Sequence, residues 1–139
     1  MDDLAANKKV IEEFIRTVWG AQDLAALSDF WTDDCVNHAM PGEENRGIEA
    51  LHAYHEGSFA AFTAFTDVHI TIEQQIAEGD RVASSIVTLG THTGPFFGLP
   101  ATGKAVTLAT MRIDRLEDGK IAEHWSTADV ASLMAQIQG

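Results

Sequence analysis

Apolar residues at Ile11, Phe14, Ile15, Val18 and Trp19 recur at intervals of three and four, the period of a helix with one buried stripe. Asp2 or Asp3 can cap its start, and Gly20 stops it. Asp23 caps a second, short helix with Leu24, Leu27 and Trp31 on one side. "CVNHAMPG" (35 to 42) reads as a short strand ending in a Pro-Gly turn, and a third helix follows Gly47 to about Ala64. The period then changes to two. Val68, Ile70, Ile72 and Ile76 alternate with polar residues, "EGD" (78 to 80) turns the chain, and "RVASSIVTLGT" continues as the partner strand. "KAVTLATMRIDRLE" and "KIAEHWST" form a further hairpin about "EDGK" (117 to 120), and a last short helix begins near Asp129. Helices first and a meandering antiparallel sheet afterwards predict an α+β fold in one domain spanning 1–139. A curved sheet wrapped around a long helix leaves a hollow, the place to look for a site.

Between the strands lies "GTHTGPFFGLPATGK" (90 to 104), with four glycines and two prolines. Such a loop is either a stiff connection over the rim of the sheet or a device that holds Phe96, Phe97 and Leu99 over the hollow. His92, at the strand end, is first of all a hydrogen-bonding anchor for that turn.

Charge narrows the function. Nine Lys and Arg face twenty-one Asp and Glu, a formal net charge of −12, which repels phosphate backbones and anionic lipid. No nucleic acid and no membrane partner is expected, and a cytoplasmic location is the default reading. Cys35, alone, makes no internal disulfide and no thiolate metal cluster. No G-x-S-x-G and no glycine-rich phosphate loop ahead of a helix is present.

"AEGDRV", "GTHTGPFFGLPATGK", "RLEDGKIAEHW" and the aspartate four residues after that tryptophan together resemble the SnoaL-like polyketide cyclase family. The likeness runs in order from about Phe65 to Gln136, and more loosely through "DDCVNHAMPG" and the first helix. It implies the cone-shaped fold of the nuclear-transport-factor-2-like superfamily, with a pocket between sheet and helices. It also implies ring closure by intramolecular aldol condensation, without metal or organic cofactor, with an aspartate as acid/base. Carried over by position, that aspartate is Asp129. Relatives of the same fold include hydroxylases, isomerases, epoxide hydrolases and non-catalytic binding modules, so fold alone leaves the reaction open.

The individual residues give the following expectations. Asp129 is an ordinary N-cap, yet it shares strand parity with Trp125, so both can face the hollow as base and dry aromatic wall. His38, on the short strand, is the best catalytic partner for Asp129. Arg112, which departs from the family pattern, favours a polar or anionic group on the substrate. His55 forms a polar wall. Phe96, Phe97 and Trp125 contact a hydrophobic or aromatic substrate. His52 and His55 have metal-compatible spacing, but no third ligand is in place and no metal is expected. His124, of opposite parity, is expected on the outer face. Epoxide hydrolase chemistry would need an Arg and Asp two apart on the strand before the loop; Arg112 and Asp114 have that spacing one strand later. Apolar residues on the outer sheet face point to a homodimer or homotetramer.

Overall fold

The computed structural model describes residues 3–40 and 45–139, so the expected turn at Pro41-Gly42 and a cap by Asp2 lie outside the described residues. Helix α1 (Leu4–Phe14) starts at Asp3, whose carboxylate accepts a hydrogen bond from the Ala6 amide. It continues as a π-helical turn from Ile15 to Gly20. Ile11, Phe14, Ile15 and Val18 are buried, as their spacing requires. A 3-10 turn (Leu24–Ala26) and α2 (Leu27–Phe30) follow, and Trp31 opens β1 (Trp31–Asn37) instead of closing the helix. Helix α3 spans Ile48–Phe62. Four strands then run in sequence: β2 (Phe65–Glu78), β3 (Arg81–His92), β4 (Ala105–Glu117) and β5 (Lys120–Ala128), before α4 (Val130–Gln138).

The sheet order is β1-β5-β4-β3-β2. The four later strands form the expected antiparallel meander, but β1 joins the far edge parallel to β5. The parallel strand corrects the purely antiparallel reading; its partner is ninety residues away, and local pattern carries no signal of such a pairing. Register shifts within β2 and within the β4–β5 pair bend the sheet around the helices. One apolar cluster, including Phe14, Leu27, Trp31, Leu51, Val82, Ile86 and Ile121, packs α1 and α3 against the sheet's inner face. A smaller one, around Phe65, Val106, Leu133 and Ile137, lies beneath the glycine-rich loop.

The loop is tied at both ends. His92 is buried, its Nδ1 lies 2.9 Å from Thr102 Oγ1, and its backbone pairs with Gly103 and Lys104. The Thr93 and Gly94 amides both donate to the Ala64 carbonyl at 3.0 Å. A Cβ at Gly94 would sit 3.3 Å from the Ala64 Cα, a tight contact that would push the loop and Ala64 apart by a few tenths of an ångström.

Candidate active site

Cross-strand register assembles the inner face. Val82, Asp114 and His124 form one row across β3, β4 and β5; Ser84, Arg112 and Ser126 form the next. Beyond them stand Ile86, Thr110 and Ala128, then Thr88 and Leu108. Residues directly opposite in register share a face, so one end of the hollow is polar and the other apolar. The cavity has a volume of about 440 Å³ and is bounded by α3, the loop and α4. Trp31, His55, Phe62, Arg112, His124 and Ser126 are among its lining residues, with Phe96 and Phe97 from the loop.

At the polar end, Arg112 donates from Nε and Nη2 to the two carboxylate oxygens of Asp114, each at 2.7 Å. Asp114 Oδ1 also lies 2.8 Å from Nδ1 of His124, and His124 Nε2 lies 2.9 Å from Ser126 Oγ. Burial alone would push the Asp114 carboxyl up, but the adjoining Arg112 guanidinium and His124 outweigh it and bring it to about 2. Asp114 is therefore ionised. Burial, reinforced by Arg112, pushes His124 below the usual histidine range against the pull of Asp114. A neutral imidazole facing a carboxylate at this distance carries its proton on Nδ1 and donates it to Asp114. The Arg112 Nη2 atom is also 3.2 Å from the same Nδ1, a longer contact than the 2.8 Å to Asp114, so the carboxylate has the stronger claim on Nδ1 and sets the tautomer.

His55 stands across the cavity on α3, caged edge-on by Phe14, Tyr54, Trp31 and Phe59 and against Trp19. Its Nδ1 is 2.9 Å from the Leu51 carbonyl, an acceptor only, so the proton sits on Nδ1 and Nε2 keeps its lone pair. Burial lowers its pKa to about 4, with Arg112 and His124 adding to the effect.

The other expected site residues stand elsewhere. Trp125 faces outward: the Arg81 guanidinium carbon lies 4.9 Å from the centre of its ring, and His38 stacks on it at 4.9 Å. His38 Nε2 binds Glu123 at 2.6 Å on that outer side. Asp129 is exposed and caps α4, accepting from the Ser132 amide at 3.0 Å, while its neighbours Ala128 and Val130 line the cavity. His124, expected outside, is inside.

One residue explains the exchange of faces. Leu116 pairs with Ile121, but Arg115 pairs with Glu123, leaving Ala122 as an extra residue on β5. Past that bulge every side chain of β5 changes face, so His124 and Ser126 point in and Trp125 points out. Ile121 and Ala122 are both buried, the mark of an interrupted alternation. Sequence singles out Asp114 only as the residue two after Arg112, and Ser126 not at all. Their signal was the shared parity of Arg112 and Asp114, but their meeting with β5 depended on the bulge.

Arg112, His55, Phe96 and Phe97 do line the cavity. His52 instead faces solvent beside Glu56 at 3.1 Å, away from His55. Among the described residues no three His, Cys, Asp or Glu side chains are grouped closely enough to hold a metal ion.

The sequence model for SnoaL-like polyketide cyclases matches residues 9–137. The chain belongs to the SnoaL-like polyketide cyclase family. Solved structures place its fold in the same company. TsrD from Streptomyces laurentii is 26% identical over 99% of this chain and 98% of that one, with a TM-score of 0.79. AclR from Streptomyces galilaeus, described as a hydroxylase candidate, is 28% identical over 98% of each chain, with a TM-score of 0.78. IdmH from Streptomyces antibioticus, described as a polyketide cyclase candidate, is 26% identical over 96% of this chain and 99% of that one, with a TM-score of 0.81. No curated protein sequence matches the chain. The structural neighbours are thus described for two different reactions. No helix among the described residues is long and apolar enough to cross a membrane.

Proposed function

We propose that this SnoaL-like protein is an acid/base enzyme that closes a ring in a small, largely apolar carbonyl compound of polyketide type. The observation that carries this reading is the pairing, in one cavity, of the neutral His55 imidazole with the Arg112 guanidinium held by Asp114. Aldol ring closure needs a base near an activated methylene and a positive group at the oxygen that becomes enolate and then alkoxide. His55 Nε2 takes the methylene proton. Arg112 steadies the enolate oxygen while the new carbon–carbon bond forms. The buried imidazolium, disfavoured where it stands, then returns the proton to the alkoxide, so one group carries the proton out and back. Asp114 holds the guanidinium and balances its charge, and His124 steadies Asp114; Phe96, Phe97, Phe62 and Leu108 surround the apolar part of the substrate.

In this reading Asp129 caps α4 and does not meet the reacting atoms. The test is exchange of an acidic methylene of an aromatic polyketide without an ester group in deuterated water, followed by NMR, together with ring closure followed by mass spectrometry. His55→Gln and Arg112→Met should lower both by roughly 10²–10⁴-fold while Asp129→Asn keeps them. The opposite ranking would return the role of base to Asp129. Ligand binding by the parent with neither exchange nor closure would make the protein a binding module.

A further inference from the structure

The proton path through His55 and Arg112 leaves Ser126 and the Nε2 side of His124 unused. Ser126 Oγ, His124 Nε2, His124 Nδ1 and Asp114 Oδ1 are joined in series at 2.9 and 2.8 Å, and Ser126 and His124 both line the cavity. The order is that of an activated serine, with the nucleophile bonded to a base and the base fixed by a buried carboxylate. At rest the serine hydroxyl donates to His124 Nε2, so the atom presented to the cavity is the hydroxyl oxygen and not the imidazole nitrogen. Arg112, directly opposite Ser126 in the β4–β5 register, supplies the positive group beside it. Its Nε and Nη2 are taken by Asp114, and among the described residues Nη1 makes no hydrogen bond.

We propose that the same cavity also cleaves carboxylic esters of small hydrophobic acids, with Ser126 as nucleophile, His124 as acid/base and Asp114 as the residue that positions His124. Ser126 Oγ attacks the ester carbonyl carbon as its proton passes to His124 Nε2, and the carbonyl electron pair moves to oxygen beside Arg112. Collapse breaks the bond to the leaving alcohol, which takes the proton from Nε2. Water then repeats the sequence, releasing the acid and restoring Ser126. The two strands set all four residues without a strand-to-helix elbow, which is why no sequence motif announces the arrangement. The apolar far end of the cavity, with Phe62, Leu108 and Phe96, fits the acyl chain.

The experiment uses p-nitrophenyl butyrate as substrate and a fluorophosphonate as covalent probe, with the parent protein and with Ser126→Ala and Ser126→Cys. The parent should hydrolyse the ester and carry one phosphonyl group on Ser126 by peptide mass spectrometry. Ser126→Ala should lose at least about 100-fold in rate and all labelling, and Ser126→Cys should be alkylated by iodoacetamide at that position. Hydrolysis unchanged in Ser126→Ala, labelling at another residue, or a parent that neither hydrolyses nor labels would each overturn the proposal. Methylene exchange by the parent is read on a substrate with no ester to cleave, so failure of the ester reaction and failure of the ring-closure reading are separately visible.

Discussion

Asp114 and His124 face one another across β4 and β5, Oδ1 to Nδ1 at 2.8 Å, and their pairing exists because β5 carries one extra residue. With Arg112 they form a buried group whose charges cancel: a cation, an anion and a neutral imidazole. Breaking such a group is expensive, because the survivor is left charged and dry.

Asp114→Asn should therefore destabilise the fold by about 3–5 kcal/mol, read from urea denaturation at neutral pH. The loss comes mainly from stranding Arg112. Combining it with Arg112→Met should recover a large part of the loss, and the double-mutant cycle measures the coupling. Simple additivity of the two would contradict the charge-balance account.

Stability should fall as the pH is lowered from 7 to 4. The folded pKa of His55 is about 4 against an ordinary 6.5, so the unfolded chain takes up a proton first and gains on the folded one throughout this window. The shift corresponds to roughly 3 kcal/mol, missing in full once the pH is below both values. His124 acts in the same direction. Asp114, held down to about 2, adds a further loss only as the pH drops from its ordinary value towards 2. His55→Phe should flatten the dependence between pH 6.5 and 4. Denaturation midpoints at a series of pH values decide it.

The same value sets a kinetic expectation. A base must be unprotonated, so the acid limb of kcat/KM for methylene exchange should bend near pH 4, not near the usual histidine value. A bend near 6.5 would overturn the assignment of the base to His55.

The hydrophobic periods alone carried the element order, the hairpins and the inward stripe of α1. They worked because each is local: period, cap and turn lie within a few residues of one another. The cavity wall was partly legible for the same reason, since Arg112 and His55 sit on regular elements with intact alternation. The resemblance puts Asp129 at the hollow, and parity then carries Trp125 inward and His124 outward; the structure reverses this because Ala122 gives the inner face of β5 to His124 and Ser126, and nothing in "KIAEHWST" distinguishes a bulge from an unbroken strand. The parallel pairing of β1 was equally hidden, for it joins Asn37 to His124.

Asp129→Ala should lose about 1 kcal/mol of stability, the value of a helix cap, and Asp129→Asn much less. Both should keep methylene exchange within a few-fold of the parent. Calorimetry and the exchange assay together separate the cap from the chemistry.

Phe97 is 73% exposed and holds a positive φ of 47°, a strained backbone for a bulky residue. It nevertheless lines the cavity mouth and packs on Phe96, ring centres 4.5 Å apart. Phe97→Gly should relieve the strain and leave stability equal or higher, while weakening apolar ligands through lost contact. Titration with a hydrophobic ester should show a raised Kd alongside an unchanged or raised melting temperature.

On the outer face, Ile76, Ala83, Ile113 and Trp125 form one row in register across β2 to β5. Ile76 is 67% exposed, Met111 54% and Ile113 43%, so the chain alone leaves an apolar strip on a strongly acidic molecule. Two copies meeting through this face would bury that strip on both partners while leaving the cavities, on the opposite side of each sheet, free. A homodimer is the expected solution state. Met111→Lys with Ile113→Lys should shift it to monomer, because each charge would be repeated across a two-fold contact and repel its own copy. Both side chains point away from the core, so the monomer's urea midpoint should hardly change. Sedimentation at micromolar concentration gives the answer: a parent that runs as a monomer defeats the idea, and so does a double variant that still dimerises.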